Sequence, residues 1–279
     1  MAKRKRNLSV AKIIKEGRGT GVGDKYIPGI KIQDVPSIGR VSRIRGIKIE
    51  RQHELLSDME RDYLLICDYS AKVDDIREQF LLKPIEETIL IAKELGIEHP
   101  RNPRTGELNV MSTDFLITMN YNNKVYEVAR TIKPKDKLMN KRVLEKFEIE
   151  RLFWEKKEIN WGIVTEEEID KVVVNNISLL HGYKEIRTID SFNDIESGEL
   201  KDLIYEFIKR LIDNEKTMRT ICNEYDKEMV LEKGSSLCIF KYLVINKIIE
   251  IDITKRINVN QYIPIIKIIE ASLRKVEAI

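Results

Sequence analysis

Apolar and polar residues recur with different periods along the chain, and these periods predict its secondary structure. In the first 165 residues the predicted order is helix, strand, hairpin, helix and strand. The helix is predicted to begin at Gln52, followed by a strand at residues 73–82, a hairpin at 111–134, a helix at 141–157 and a strand at 160–164. Helices that alternate with strands in this way predict an α/β layer architecture.

The predicted hairpin carries the most informative chemistry. Strand-forming residues flank an Asn-Asn pair at positions 122 and 123, which favours a tight turn. The paired strands then place Asp114 and Lys133 near the open end of the hairpin. Mg²⁺ prefers carboxylate and carbonyl oxygens, and a neighbouring ammonium can orient water or offset phosphate charge. The pair therefore suggests a metal-dependent nuclease, while the alternative is that both are solvated groups at strand edges.

After residue 165 the pattern becomes mainly helical. Acids at residues 166–168 predict a helix start, because negative charge is favourable at a helix amino terminus. Further helices are predicted at residues 200–212, 217–226 and 234–244, with a strand at 248–253. This order resembles a winged helix, whose third helix can enter a DNA major groove. Because that helix carries only Lys241 as an obvious phosphate-binding group, we expect it to bind a protein partner rather than read sequence.

Length and composition fit two domains. A chain of 279 residues can bury two cores, and we predict domains at residues 1–165 and 166–279, with the isoleucine-rich tail at 262–279 completing the second core or docking on a partner. The three cysteines are unclustered, which indicates reduced thiols. No apolar run approaches the roughly 18 residues of a membrane span, and no apolar segment follows the basic start. We therefore expect a cytoplasmic protein without a membrane segment or signal peptide.

Positive charge is concentrated at the amino end. Residues 1–50 contain 13 Lys or Arg and four acids, although the net charge of the whole chain is only +3. A basic segment gains by counterion release when it contacts DNA phosphates, and the alternative is a solubilising tail. Besides residues 3–6, the predicted DNA contacts are Arg18, Arg40, Arg43 and Arg45. Further along, Arg77 and Glu78 point to opposite faces of the predicted strand, and we expect structural ion pairs there rather than DNA contacts.

Several blocks of sequence resemble the TnsA family, the endonuclease subunits of heteromeric bacterial transposases. The blocks are Lys-Glu-Gly-Arg-Gly at residues 15–19, Leu-Leu-Ser-Asp-Met-Glu at 55–60, Asp-Ile-Arg-Glu-Gln-Phe at 75–80, Met-Ser-Thr-Asp-Phe-Leu at 111–116 and Leu-Glu-Lys-Phe-Glu-Ile-Glu-Arg at 144–151. Trp154, Trp161 and the Lys-Pro at 133–134 extend the similarity, which is collinear from about residue 14 to 165. Beyond residue 165 only the length and order of elements suit the family.

The resemblance implies a restriction-endonuclease-like mixed sheet flanked by helices. It implies Mg²⁺ as the cofactor, with Mn²⁺ as an alternative ion. Glu60 and Asp114 would be catalytic metal ligands, Ile132 would add its carbonyl, and Lys133 would position water or offset charge. The expected substrate is double-stranded DNA at transposon ends, cut on the 5′ strands in the bacterial cytoplasm. A separate transposase subunit would cut the 3′ ends, and an ATPase regulator would be a further partner.

One position departs from the pattern of this fold. The residue two before the lysine is usually Asp, Glu or Gln, and here it is Thr131, whose hydroxyl is a poorer magnesium ligand. We predict that Glu150, on the helix at 141–157, supplies the missing oxygen, although a charged helix surface is the alternative. The departure also leaves open a second hypothesis, in which the chain is a non-catalytic DNA-binding scaffold of the transposase complex.

Overall fold

The computed structural model describes residues 10–34, 39–102, 105–212 and 215–279. The chain divides into two compact units, Met1–Asp170 and Lys171–Ile279. The basic residues 3–6, predicted to contact DNA, lie outside the described ranges.

In the described part of the first unit, two α-helices and a small strand pair precede the central sheet. Its elements in chain order are α1 (Val10–Lys15), β1 (Ser42–Arg45), β2 (Gln52–Leu55), α2 (Asp58–Tyr69), β3 (Val73–Leu81), α3 (Ile85–Glu94), β4 (Ser112–Tyr121), β5 (Lys124–Ile132), α4 (Lys141–Glu155) and β6 (Asn160–Val164). The strands β1 and β2 form a separate antiparallel pair.

The central sheet is mixed and has the order β3-β4-β5-β6. The predicted hairpin is confirmed: β4 and β5 pair antiparallel from Tyr121 opposite Lys124. The turn residues Asn122 and Asn123 have φ values of 51° and 59°, which asparagine tolerates and a tight hairpin turn requires. The last pairing, β5 with β6, is parallel and therefore needs α4 as its crossover.

Helices cover both faces of this sheet because neighbouring strand residues point in opposite directions. On one face, Leu116 and Ala129 pack with Ile91 of α3 and Trp154 of α4 in a buried apolar cluster. On the other face, the ring of Phe115 lies 5.5 Å from that of Tyr63 on α2. This central mixed sheet flanked by helices fits the restriction-endonuclease-like fold expected above.

The prediction of a helix from Gln52 is wrong. Residues Gln52–Leu55 are β2, which alternates exposed and buried positions and buries His53 and Leu55 against the rest of the unit. The helix α2 begins at Asp58, because the hydroxyl of Ser57 caps its amino terminus by accepting from the Glu60 N–H at 3.1 Å. The helix α3 was not predicted.

The second unit is mainly helical, and it includes a two-residue strand pair. Its elements are α5 (Lys171–His181), α6 (Ser197–Ile212), α7 (Met218–Glu228), α8 (Ser235–Ile245), β7 (Ile249–Glu250), β8 (Lys267–Ile268) and α9 (Glu270–Glu277). The predicted helix start at residue 166 is wrong, because Glu168 accepts from the N–H and hydroxyl of Thr165 and holds a turn there. The winged-helix prediction is not confirmed. Among the described helices, none is long and apolar enough to cross a membrane.

Candidate active site

Glu60 is fixed at the first turn of α2 by three hydrogen bonds. The hydroxyl of Ser57 donates to Glu60 Oε1 at 2.9 Å, and the Leu56 N–H donates to Oε2 at 2.9 Å. This reciprocal arrangement is a capping box, which locks the side chain at the helix start. Glu60 and Leu64, one turn apart, are both buried, so Glu60 lies on the buried face of the helix.

Asp114 lies on β4 and is tied to the neighbouring strand. Its Oδ2 accepts from the Ile132 N–H at 2.7 Å, and Ile132 is the last residue of β5. The backbone N–H of Lys133, the next residue, donates to the Val164 carbonyl of β6 at 2.9 Å. The end of β5 is therefore held from both sides, which places Ile132 and Lys133 beside the Asp114 carboxylate.

Gln79 on β3 links the two acids. Its Nε2 donates to Glu60 Oε2 at 3.1 Å and approaches Asp114 Oδ1 at 3.5 Å. The sequence had shown Gln79 only within the Asp-Ile-Arg-Glu-Gln-Phe block, and no spacing rule singled it out. Its position depends on the pairing of β3 with β4, which is a long-range contact.

The two carboxylates open onto one cavity of about 320 Å³. The predicted site residues that line it are Glu60, Asp114, Ile132, Lys133 and Glu150. Thr131 and Lys146 also line it. The fold therefore brings together every catalytic and metal residue that the sequence predicted.

Burial of these acids raises their pKa values. Desolvation, followed by the charge of Asp114, raises the pKa of Glu60 to about 8. Desolvation also raises the pKa of Asp114 to about 6, although the Ile132 N–H and the Lys133 charge oppose it. Two buried carboxylates at one cavity resist ionising together, and a bound cation would relieve that repulsion.

Glu150 is part of this cavity rather than of the helix surface, so the surface alternative is wrong. It is 3% exposed. Its Oε1 accepts from the hydroxyl of Thr113 at 2.6 Å, the hydroxyl of Thr131 at 2.5 Å and the Trp161 Nε1–H at 3.0 Å. Burial raises its pKa to about 7. Because three donors saturate Oε1, only Oε2 is open to a further ligand, and the short Thr131 side chain leaves room for this carboxylate.

The donor set is small for a metal ion. Within the described residues, no group of three or more His, Cys, Asp or Glu side chains is arranged to hold a metal. Two carboxylates nevertheless suit Mg²⁺, which commonly binds one or two carboxylates and keeps waters or substrate phosphate oxygens for its other positions. Glu60, Asp114 and the main chain at Ile132 therefore fit this ion.

A buried ion pair holds β2 beside β3 and so sets the distance from Glu60 to Gln79. Arg51 donates to both oxygens of Glu78, with its Nη1 at 2.7 Å from Oε1, and His53 Nδ1 lies 2.8 Å from Oε2. These bonds outweigh desolvation and lower the pKa of Glu78 to about 2. On the other face Arg77 pairs with Glu127. Both residues thus form the structural ion pairs expected of them.

The predicted DNA-contacting arginines separate into two groups. Arg18 is 1% exposed, and its guanidinium binds Asp34 and Glu16. It has no surface to offer a phosphate, so its assignment as a DNA contact is wrong. Arg43 and Arg45 are exposed on alternate positions of β1, and Arg40 is exposed before this strand. Glu54 and Glu50 partner Arg43 and Arg45 at 3.1 Å and 3.3 Å. In the Arg45–Glu50 pair both side chains are exposed, and water or phosphate readily replaces such a contact.

Comparison with known proteins agrees with this geometry. Residues 70–166 match the family model "TnsA-like endonuclease N terminal", and residues 168–253 match "TnsA endonuclease C terminal". The chain is 37% identical over 255 residues to "Transposon Tn7 transposition protein TnsA" of Escherichia coli, an alignment that covers 91% of this chain and 89% of that protein. The second match includes residues beyond 165, where the sequence blocks had ended.

Proposed function

The chain belongs to the TnsA endonuclease family, and from that premise we propose that it is a Mg²⁺-dependent endonuclease that cuts the 5′ strands at transposon ends. The observation that carries the proposal is the convergence of Glu60, Asp114 and Lys133 on one cavity. A fold analogy alone would not support a catalytic role. The placement of two linked carboxylates and a lysine around one cavity does support it.

Different residues would have different roles in phosphodiester hydrolysis. Glu60 and Asp114 would hold the metal, with the Ile132 carbonyl and Oε2 of Glu150 as further oxygens. The bound ion supplies Lewis-acid polarisation of the scissile phosphate and a more acidic water. The Lys133 ammonium would orient the attacking water in line with the leaving group and offset the charge that develops on the phosphate. The Ile132 N–H keeps Asp114 in place during this step.

Double-stranded DNA would be positioned by exposed arginines. Arg40, Arg43 and Arg45 stand at or near one strand of the small sheet, and forked guanidinium donors match phosphate oxygens. We propose these three, without Arg18, as sequence-independent contacts. The expected partners are a transposase subunit that cuts the 3′ strands and an ATPase regulator.

A strand-specific nicking assay tests the proposal. The full chain is combined with transposon-end DNA, Mg²⁺ or Mn²⁺ and the partner transposase, whose own active site has been disabled. Asp114→Ala and Lys133→Ala should each abolish 5′-strand nicking while DNA binding and partner binding persist. Lys135→Ala is the matched control, since Lys135 is exposed, pairs with Glu167 and should leave nicking unchanged.

Two outcomes would count against this function. Normal nicking by both Asp114→Ala and Lys133→Ala would remove these residues from the chemistry. If the unmodified chain binds the DNA and the partner but never nicks under either metal, the non-catalytic scaffold becomes the better account, and Thr131 is the feature that favours it.

A further inference from the structure

The backbone of Gln79 adopts a conformation that is unusual for glutamine. Its φ is 50°, in the left-handed region that a non-glycine residue rarely adopts because it is strained. It interrupts β3 at the point where the register pairs Glu78 with Phe115 and Phe80 with Thr113. Gln79 therefore lies directly across from Asp114, and the surrounding structure must hold it there.

The glycine-rich segment at residues 17–29 holds this backbone. The Gly29 N–H donates to the Gln79 carbonyl at 3.0 Å. A Cβ at Gly29 would lie 2.3 Å from the Leu81 side chain and 2.6 Å from the Gln79 oxygen. Only glycine permits this approach. The glycine-rich segment thus packs against β3.

The side chain of Gln79 lies behind the carboxylates. It is 2% exposed, and the residues that line the cavity include Glu60 and Asp114 but not Gln79. Both of its neighbours are acceptors, so the NH₂ end of the amide must face them. Glu60 Oε1 and Asp114 Oδ2 each accept one hydrogen bond from other donors and so retain a lone pair for a metal. A metal can therefore bind without displacing the amide.

We propose that Gln79 is a positioning residue, which fixes the separation of Glu60 and Asp114 by donating to both carboxylates from the side opposite the cavity. The inference rests on the proposed metal-dependent function and adds a residue that does not itself touch metal or DNA. An uncharged donor suits this role because it binds both acids without competing with the cation for their charge. Outer partners of metal ligands are typically worth 10–100-fold in metal affinity.

The test measures metal binding by the full chain without DNA. Calorimetric titration with Mg²⁺ and with Mn²⁺ compares the parent, Gln79→Met and Gln79→Asn, and thermal unfolding is recorded for each protein. Gln79→Met keeps the length of the side chain but removes both N–H donors. It should lower the affinity for both ions by the same factor, about 10–100-fold. Gln79→Asn shortens the amide by one methylene and should also lose affinity.

The asparagine variant separates positioning from folding. Asparagine tolerates positive φ better than glutamine does, so this variant should unfold at or above the parent temperature and yet bind metal more weakly. A purely structural role predicts the reverse pattern, a changed unfolding temperature with unchanged affinity. Ile76→Val, which removes one buried methyl group from the same strand, should lower the unfolding temperature and leave metal affinity alone.

Each result bears on the inference. Parental affinity in either Gln79→Asn or a folded Gln79→Met would overturn it, while the proposed nuclease would stand. If Gln79→Met fails to fold, the asparagine variant decides alone. If the parent binds neither ion with or without transposon-end DNA, the metal-dependent function fails, and the positioning role fails with it.

Discussion

Replacing Asp114 by asparagine should abolish nicking and at the same time stabilise the metal-free protein. Asparagine has nearly the same shape, and its carbonyl oxygen can still accept from the Ile132 N–H. Its NH₂ would stand at the Oδ1 position, 3.5 Å from Gln79 Nε2, a donor–donor contact that offsets a small part of the gain, while Gln79 keeps its 3.1 Å bond to Glu60. The substitution therefore removes charge from the buried pair and leaves the packing intact.

The magnitude follows from the pKa of Asp114, which burial raises from 3.8 to about 6. In the unfolded chain the Asp114 carboxyl loses its proton near pH 4, whereas in the folded protein it keeps the proton until about pH 6. The free energy of unfolding therefore falls as pH rises through that range. At about 1.4 kcal/mol per pKa unit, the full cost above pH 6 is on the order of 3 kcal/mol. Asp114→Asn should recover about 1–3 kcal/mol at pH 8, and less at pH 5.

Thermal unfolding in the presence of a chelator measures this gain. For a unit of this size, each kcal/mol corresponds to roughly 2–4 °C, so the variant should unfold several degrees higher at pH 8. Asp62→Asn is the control, because Asp62 is buried but paired with Arg61 at 2.6 Å, and losing that partner should cost stability. An Asp114→Asn protein that is no more stable than the parent at pH 8 would refute the reasoning.

Three further predictions test separate parts of the structure. Glu150→Gln should raise the Mg²⁺ concentration needed for nicking severalfold, whereas Glu148→Gln, at the neighbouring surface pair with Arg151, should not; equal requirements would remove Glu150 from the metal site. Neutralising Arg40, Arg43 and Arg45 should flatten the log-log salt dependence of DNA binding by about 0.9 per lost contact. Arg18→Gln should keep that slope and lose about 1–3 kcal/mol of stability, because the buried Asp34 loses its guanidinium partner. Glu78 has a pKa of about 2 in the folded protein against an ordinary 4.5, so its contribution to the free energy of unfolding should be complete above pH 4.5 and disappear towards pH 2. Glu78→Gln should therefore reduce the loss of stability between pH 4.5 and pH 2. An unchanged loss in the variant would reject the ion pair of Glu78 as its cause.

Local chemistry accounts for the parts of the fold that the sequence predicts well. The β4–β5 hairpin depends on a turn between two strand-forming runs. The helices α4 and α6 depend on the helical spacing of apolar residues within a single segment. In contrast, β2 forms because β1 pairs with it. From the sequence alone, a four-residue strand that ends at Leu55, beside Leu56, resembles the start of the following helix. Pairing partners far along the chain are not visible in a local period.

The same distinction applies to the site. Asp114 and Lys133 could be predicted because they share a hairpin, and Glu60 because its block resembles a known family. Glu150 follows instead from the oxygen that Thr131 does not supply. The sequence suggests Arg18 as a DNA contact because it shows the charge of this residue. It does not show that Arg18 forms a buried ion pair with Asp34. Gln79 was missed because an uncharged residue within a strand has no distinctive spacing. Its role depends on which residue faces it across the sheet.

We expect the proposed catalytic centre to be completed late in folding, because the pairing of β5 with β6 is parallel. A hairpin such as β4–β5 can form within microseconds from neighbouring residues, but it holds only Asp114 and the end of β5. The Lys133 N–H finds its acceptor, Val164, only after α4 has crossed the sheet, since a parallel connection requires that crossover. A partly folded first unit therefore lacks the assembled form of the proposed centre, whose residues come together only when that unit is complete.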